Sequence, residues 1–174
     1  MIKSKVFLLI IFILIPFNNL HADNAKKPES IALCQTCHGS QLQGNKDLNA
    51  PSIAGLSQWY SYRQLKNYKD GIRGIDPEDV FGQTMRLSII NMSNSELEAL
   101  ATYISNMTAK KQAVTIKGNI GTGKFVFDHC MSCHGEFGEG DKTIGAPRLT
   151  GQSDWYLYQQ LINCLLYTSD AADE

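Results

Sequence analysis

Two pentapeptides in this 174-residue chain could do chemistry: Cys34-Gln35-Thr36-Cys37-His38 and Cys130-Met131-Ser132-Cys133-His134. Cys-x-x-Cys-His is the attachment signature of c-type haem. Two thiols add across the two vinyl groups of one haem, so they must sit about one helical turn apart. The histidine that follows can swing under the iron as its proximal ligand. The spacing therefore assigns Cys34, Cys37, Cys130 and Cys133 to covalent attachment, and His38 and His134 to iron. Two other uses of paired cysteines fit less well. The four thiols could make one Cys₄ zinc site, but zinc gives no reason for a histidine after the second cysteine in both copies. A thioredoxin-like dithiol would want a preceding β-strand, and neither motif follows an alternating apolar pattern.

The elements that must position these residues are duplicated as well. An offset of 96 aligns the two halves without a gap and gives 16 identities over positions 34–67. Gly39, Gly44, Lys46, Ala50, Pro51 and Gly55 pair with Gly135, Gly140, Lys142, Ala146, Pro147 and Gly151. Further on, Ser57, Trp59, Tyr60, Tyr62, Gln64, Leu65 and Asn67 pair with Ser153, Trp155, Tyr156, Tyr158, Gln160, Leu161 and Asn163. Such self-similarity marks a tandem of two like domains.

Local signals place the helices. Residues 29–37 read as a short helix carrying the cysteines, followed by a loop to Ala50. Ser57 is expected to cap a helix over 58–70 that stops at Gly71. Trp59, Tyr62 and Leu65 recur at helical spacing and put aromatic surface on one side of it. Ser93-Asn94-Ser95-Glu96 is a capping box, with Met92 and Leu97 in the two positions of a hydrophobic staple. Leu97, Leu100, Ala101 and Ile104 then form an apolar stripe. Residues 108–119 read as a linker, and 124–130 as the start of the second haem helix. No convincing alternating strand is present, so the expected class is all-α.

A methionine opposite the histidine would raise the iron potential and close the iron to substrates. The first half offers Met85, Met92 and Met107. The staple accounts for Met92, and Met107 lies at the end of a helix. Met85 is read as part of an irregular stretch after Gly82, from which a side chain can reach the iron. Met85 is thus the expected ligand, and Met92 the alternative.

The N-terminus reads as an export signal. Lys3 and Lys5 precede an unbroken apolar run over 6–15, and Leu20-His21-Ala22 offers a small-residue cleavage site. A membrane span needs roughly 20 apolar residues, and this run has half that. Removing 1–22 and the tail at 164–174 leaves 14 Lys+Arg and 14 Asp+Glu. A near-neutral chain without a basic run gives no footprint for nucleic acid.

On these residues the chain resembles the periplasmic dihaem cytochromes c of the cytochrome c4 type, built from two class I cytochrome c domains. The resemblance covers 29–163. It rests on both Cys-x-x-Cys-His-Gly motifs, both Ala-Pro-x-x-x-Gly segments, the Trp-Tyr helices and the Met85 region leading into 93–107. It implies two covalent haem c groups and their iron. It also implies that the Pro51 carbonyl orients His38 and the Pro147 carbonyl orients His134, the support an axial imidazole needs. Trp59 and Trp155 are expected to pack on haem. The family usually carries a proline soon after its ligating methionine, whereas Arg86-Leu87-Ser88 follows Met85 here.

The expected organisation is a signal peptide at 1–22, a first haem domain at 23–108, a linker at 109–119 and an incomplete second haem domain at 120–163. The repeat breaks after Asn163. The tail at 164–174 resembles a translated sequencing-library adapter and is set apart as non-native. At the same offset the counterpart of Met85 falls at position 181, beyond residue 174, so the second haem is expected to lack its methionine. The implied function is single-electron transfer in the periplasm between redox proteins, with a membrane donor complex, a terminal oxidase or a dehydrogenase as partners. After export the chain is expected to be free of stable membrane insertion. A dihaem subunit of a flavocytochrome-like dehydrogenase is the alternative. A dihaem peroxidase is the reading from another class, and it would need an open or displaceable iron site.

Overall fold

The computed structural model describes residues 26–170, so the export segment at 1–22 and the last four residues lie outside the described residues. Six helices occur in order: α1 (Ile31–His38), α2 (Gln58–Lys69), α3 (Val80–Ile89), α4 (Asn94–Ser105), α5 (Ile120–His134) and α6 (Asp154–Asp170). A 3₁₀ turn at Lys46–Leu48 interrupts the loop after α1. No strand is found among the described residues; pairing is limited to two isolated antiparallel bridges, Asn45 with Ala50 and Asp141 with Ala146. The molecule is all-α.

The core belongs to the first half. Ile31, Leu42, Ala54, Leu65, Ile89, Leu97, Leu100 and Ile104 form one buried cluster. Each large aliphatic side chain buried there is worth roughly 1.5–3 kcal/mol. Helix α4 supplies three of these residues and lies across α2. Its start is fixed as the sequence required. Ser93 Oγ accepts from the Glu96 backbone N–H at 3.2 Å, and the Ser93 N–H donates to Glu96 Oε2 at 2.7 Å. These Ser93 bonds hold the Glu96 carboxyl below its usual range. Met92 packs against the same cluster that holds Leu97, as a staple residue would.

Several boundaries differ from the sequence reading. Helix α1 begins at Ile31 because the Ile31 N–H is taken by the Pro28 carbonyl in an entry turn, 3.2 Å away. Ser57 precedes α2 but makes no side-chain cap bond, and the helix closes at Lys69 with Asp70 as its C-cap. Helix α5 starts at Ile120, four residues before the expected 124, because Asn119 accepts from the Thr122 N–H at 2.9 Å and caps it.

The largest difference concerns Met85. It lies within helix α3, not in an irregular stretch. Asp79 caps that helix by accepting from the Gly82 N–H at 2.8 Å. Gly82 therefore sits in the first turn, where it breaks nothing. The absence of proline from Arg86-Leu87-Ser88 lets α3 continue to Ile89, since a proline there would remove an internal hydrogen bond.

The second half repeats the haem-side elements, and the described residues hold no counterparts of α3 and α4. The consequence shows at equivalent positions. Leu65 is 7% exposed, while its counterpart Leu161 is 64% exposed. Helix α5 has no buried residue, and Phe125 stands 70% exposed on it. The linker is nevertheless tied down. Asp154 accepts from the Thr115 and Ile116 backbone N–H groups at 2.6 and 2.8 Å. Helix α6 runs past Asn163 to Asp170, because the position equivalent to the α2 stop at Gly71 is Tyr167.

Ser93→Ala removes the cap of the helix that closes the core. Loss of such a cap costs about 0.5–2 kcal/mol. Denaturant unfolding followed by far-UV circular dichroism should show that loss, with an unchanged slope against denaturant. An unchanged midpoint would mean that α4 is held by packing alone.

Candidate haem sites

Each Cys-x-x-Cys-His motif ends its helix, and each histidine is the last helical residue. The chain then reverses at Gly39 or Gly135, both at positive φ. It returns so that the Gly44 N–H donates to the His38 carbonyl at 2.8 Å, and the Gly140 N–H to the His134 carbonyl at 2.7 Å. The loop next folds back on itself through the isolated bridges and delivers a proline carbonyl to each imidazole. His38 Nδ1 lies 2.8 Å from the Pro51 oxygen, and His134 Nδ1 lies 2.7 Å from the Pro147 oxygen. Since the carbonyl can only accept, each Nδ1 carries the proton and each Nε2 keeps a free lone pair. That tautomer is the one able to bind a metal.

Glycine is required where the loop closes. At Gly44 (φ +90°) an added Cβ would lie 2.7 Å from the Ser52 nitrogen and 3.0 Å from the Pro51 carbonyl carbon. At Gly140 (φ +81°) it would lie 2.6 Å from the Arg148 nitrogen and 2.7 Å from the Pro147 carbonyl carbon. The backbone that offers the proline carbonyl is therefore in contact with the glycine that holds the histidine carbonyl.

His38 is buried, and burial pushes its imidazole pKa below the ordinary value, with the Pro51 bond opposing that shift. A neutral imidazole at neutral pH follows. Burial also pushes the Cys34 thiol up to about 11, whereas Cys37 is exposed.

Cys34, Cys37 and His38 face one cleft of about 550 Å³. That volume falls within the roughly 300–1,000 Å³ of small-molecule and cofactor pockets. Met85 lines the same cleft from α3. Met92 and Met107 pack on the core and are not among the described residues that line it. The apolar part of the wall includes Leu33, Leu48, Phe81 and Ile89. Two thiols, an imidazole with a free Nε2, a thioether and an apolar rim are the donor set and surroundings of a c-type haem, so the residues fit the group.

The sequence reading missed Arg73. Its guanidinium lines the cleft, donates to Gln64 Oε1 at 2.5 Å and lies 4.6 Å from the centre of the Tyr68 ring. Burial pushes the Tyr68 hydroxyl up to about 12, so that ring stays neutral beside it. A half-buried cation held by an amide oxygen and an aromatic face suits an anionic edge such as a haem propionate. The sequence signal was slight: one arginine after Gly71, in a turn with no counterpart in the second half.

The two tryptophans are not placed alike. Trp155, from the second half, lines the first-half cleft. Trp59 makes an edge contact with Tyr60 at 5.8 Å, under the Arg63 guanidinium at 4.8 Å. Trp59, Tyr62 and Leu65 drift around the helix at their spacing of three, and only Tyr62 and Leu65 reach the core cluster.

A helical tandem with two such motifs defines a dihaem c-type cytochrome. The chain belongs to the cytochrome c family, whose model matches residues 28–108 and 120–163. It is 30% identical to cytochrome c4 of Pseudomonas aeruginosa, over 91% of this chain and 79% of that protein. It is 28% identical to the thiosulfate dehydrogenase electron acceptor of Stutzerimonas stutzeri, over 82% of this chain and 67% of that protein. The solved structure of Acidithiobacillus ferrooxidans cytochrome c4 superimposes with a TM-score of 0.61 at 29% identity, covering 75% of this chain and 79% of that one. The chain is accordingly an electron carrier of the cytochrome c4 type that binds two haem c groups covalently.

Gly44→Ala should displace the proline segment and loosen the imidazole it holds. A strained non-glycine residue at such a position costs on the order of 1–3 kcal/mol. Unfolding followed at the Soret band should fall by that amount, and the reduction potential of the haem on Cys34 and Cys37 should change. Retention of both values would show that the loop can carry a side chain.

Proposed function

We propose that this protein shuttles single electrons in the periplasm between a respiratory donor and an acceptor, with the first iron held between His38 and Met85. The haem supplies the one-electron chemistry, and the protein supplies position and electrostatics. The observation that carries the axial assignment is that His38 and Met85 line one cleft with both thiols of the first motif. A thioether opposite an imidazole raises the potential and leaves no position for a substrate. His134 is the proximal ligand of the second iron, and Pro51 and Pro147 are the oxygen acceptors that orient the two imidazoles.

The proposed organisation follows the repeat. A first haem domain over 23–108 is joined by a linker at 109–119 to a second over 120–163, with 164–174 as a non-native tail. The two matched segments support that division. Leu161 is exposed where its counterpart Leu65 is buried, and the described residues hold no helix that covers it.

The periplasmic reading rests on the export signal at 1–22 and on attachment of c-type haem outside the cytoplasmic membrane. No helix among the described residues is long and apolar enough to cross a membrane. One observation favours a second reading of the partners: relatives named as thiosulfate dehydrogenase electron acceptors share 28% identity with this chain. A dehydrogenase would then be the donor, and affinity capture with that enzyme should recover this chain in fixed stoichiometry. Dependence on a terminal oxidase instead would assign the chain to the oxidase branch.

Expressed with a c-type maturation system, the chain should carry two haems that survive denaturing gels. Cys34→Ala with Cys37→Ala should leave one. A single haem in the parent, or stoichiometric zinc, would contradict the assignment. Met85→Ala should abolish the weak sulfur-to-iron absorption at the red end of the visible spectrum and open the first iron to carbon monoxide. If Met92→Ala does this and Met85→Ala does not, the axial assignment is wrong.

A further inference from the structure

The first-half cleft is not walled by the first half alone. Its thiols and His38 come from α1 and Met85 from α3, but Trp155 and Tyr156 come from the start of α6. Helix α2 carries the equivalent tryptophan, Trp59, yet among the described residues the cleft is lined by Trp155 and not by Trp59. The tryptophan expected on the second haem thus stands at the first site.

Three polar contacts hold this arrangement. Gln152 Nε2 donates to the Ser52 carbonyl at 2.8 Å, one residue beyond the carbonyl that accepts from His38. Arg73 Nη2 lies 3.4 Å from Gln160 Oε1 on α6. In the opposite direction, Arg63 Nη2 donates at 3.1 Å to the carbonyl of Gly145, in the loop between His134 and Pro147. That same guanidinium covers the Trp59 ring. So the helix of the first half reaches the loop of the second site, as α6 reaches the first.

We propose that α6 completes the first haem site from the other half of the chain: Trp155 and Tyr156 are packing residues of that site, with Gln152 as a positioning residue for its proline segment. The inference rests on the dihaem reading and adds to it. The first haem environment would be complete only when the halves are docked. The potential of the haem on Cys34 and Cys37 would then depend on residues more than 110 positions later in the chain. The chemistry is direct. An aromatic side chain excludes water from the haem edge, and exclusion of water disfavours the form with the greater charge.

The test uses the full dihaem protein and reads each haem separately. Paramagnetically shifted haem methyl resonances are assigned to the two halves with the Cys34→Ala, Cys37→Ala variant, which retains only the second haem. Trp155→Ala and Trp155→Phe are then compared with the parent by those resonances and by spectroelectrochemical titration. Trp155→Ala should move the first haem's resonances and potential more than the second's, and Trp155→Phe should restore most of the parent values. Gln152→Ala should also act on the first haem and leave the count of two haems unchanged. A larger effect on the second haem, an equal effect on both, or none would overturn the assignment of Trp155 to the first site. A parent with fewer than two haems would instead defeat the dihaem reading itself. Helical content by circular dichroism separates a local change from loss of fold.

Discussion

The hydrogen bond from each motif histidine to a proline carbonyl, the axial support of the proposed haem sites, is the constraint on which the rest depends. An axial imidazole must present one nitrogen to iron and fix the other. Here the fixing group is a backbone oxygen thirteen residues downstream, brought back by a loop that Gly44 and Gly140 close against it. Proline suits this position because its restricted φ stiffens the segment. It also lacks an N–H that would need a partner. The histidine carbonyl is held by the glycine N–H and the ring by the proline oxygen, so both ends of the residue are anchored.

Around that constraint the two halves diverge. Both keep the helix, the reversing glycine, the bridge and the proline. Among the described residues only the first half adds α3 and α4, and with them a buried aliphatic cluster. A domain of this size has a thin core even when complete. In the second half the position equivalent to Leu65 is exposed, with Leu161 facing outward. Contacts with the first half reach it instead, from Gln152 to the Ser52 carbonyl and from Arg63 to the Gly145 carbonyl. The Asp154 clasp on Thr115 and Ile116 contributes, because it ties the incoming linker to the start of α6.

The seam between the halves is polar and aromatic. Arg63, Arg73, Gln152 and Gln160 reach across it or into it. Tyr68 and Tyr156 line the first-half cleft, and Tyr60 joins them around a smaller pocket beside His38. Such a surface excludes water from buried redox centres while satisfying its own hydrogen bonds, which a purely apolar seam would not do for the arginines.

Much of this was legible in the sequence. The cysteines and histidines announce themselves by spacing, since thioether chemistry allows few arrangements. The capping box at Ser93 and Glu96 is local, so four residues sufficed to place the start of α4. The duplication also forecast that both loops would close alike, and the two bridges do fall at equivalent positions. Met85 reads as part of an irregular stretch after Gly82, yet the Asp79 cap on the Gly82 N–H is a local contact that makes that glycine a first-turn residue. The rest of what escaped depends on contacts distant in the chain. Arg73 carried no pattern, because its role comes from a cleft formed by other helices. The tryptophans share a Ser-x-Trp-Tyr-x-Tyr context, and no local rule separates them. Composition and spacing determined two haem motifs and the helices that carry them. The docking of α6 against the first half decided which wall Trp155 completes, because a side chain's neighbour across an interface is set by packing that no sequence window contains.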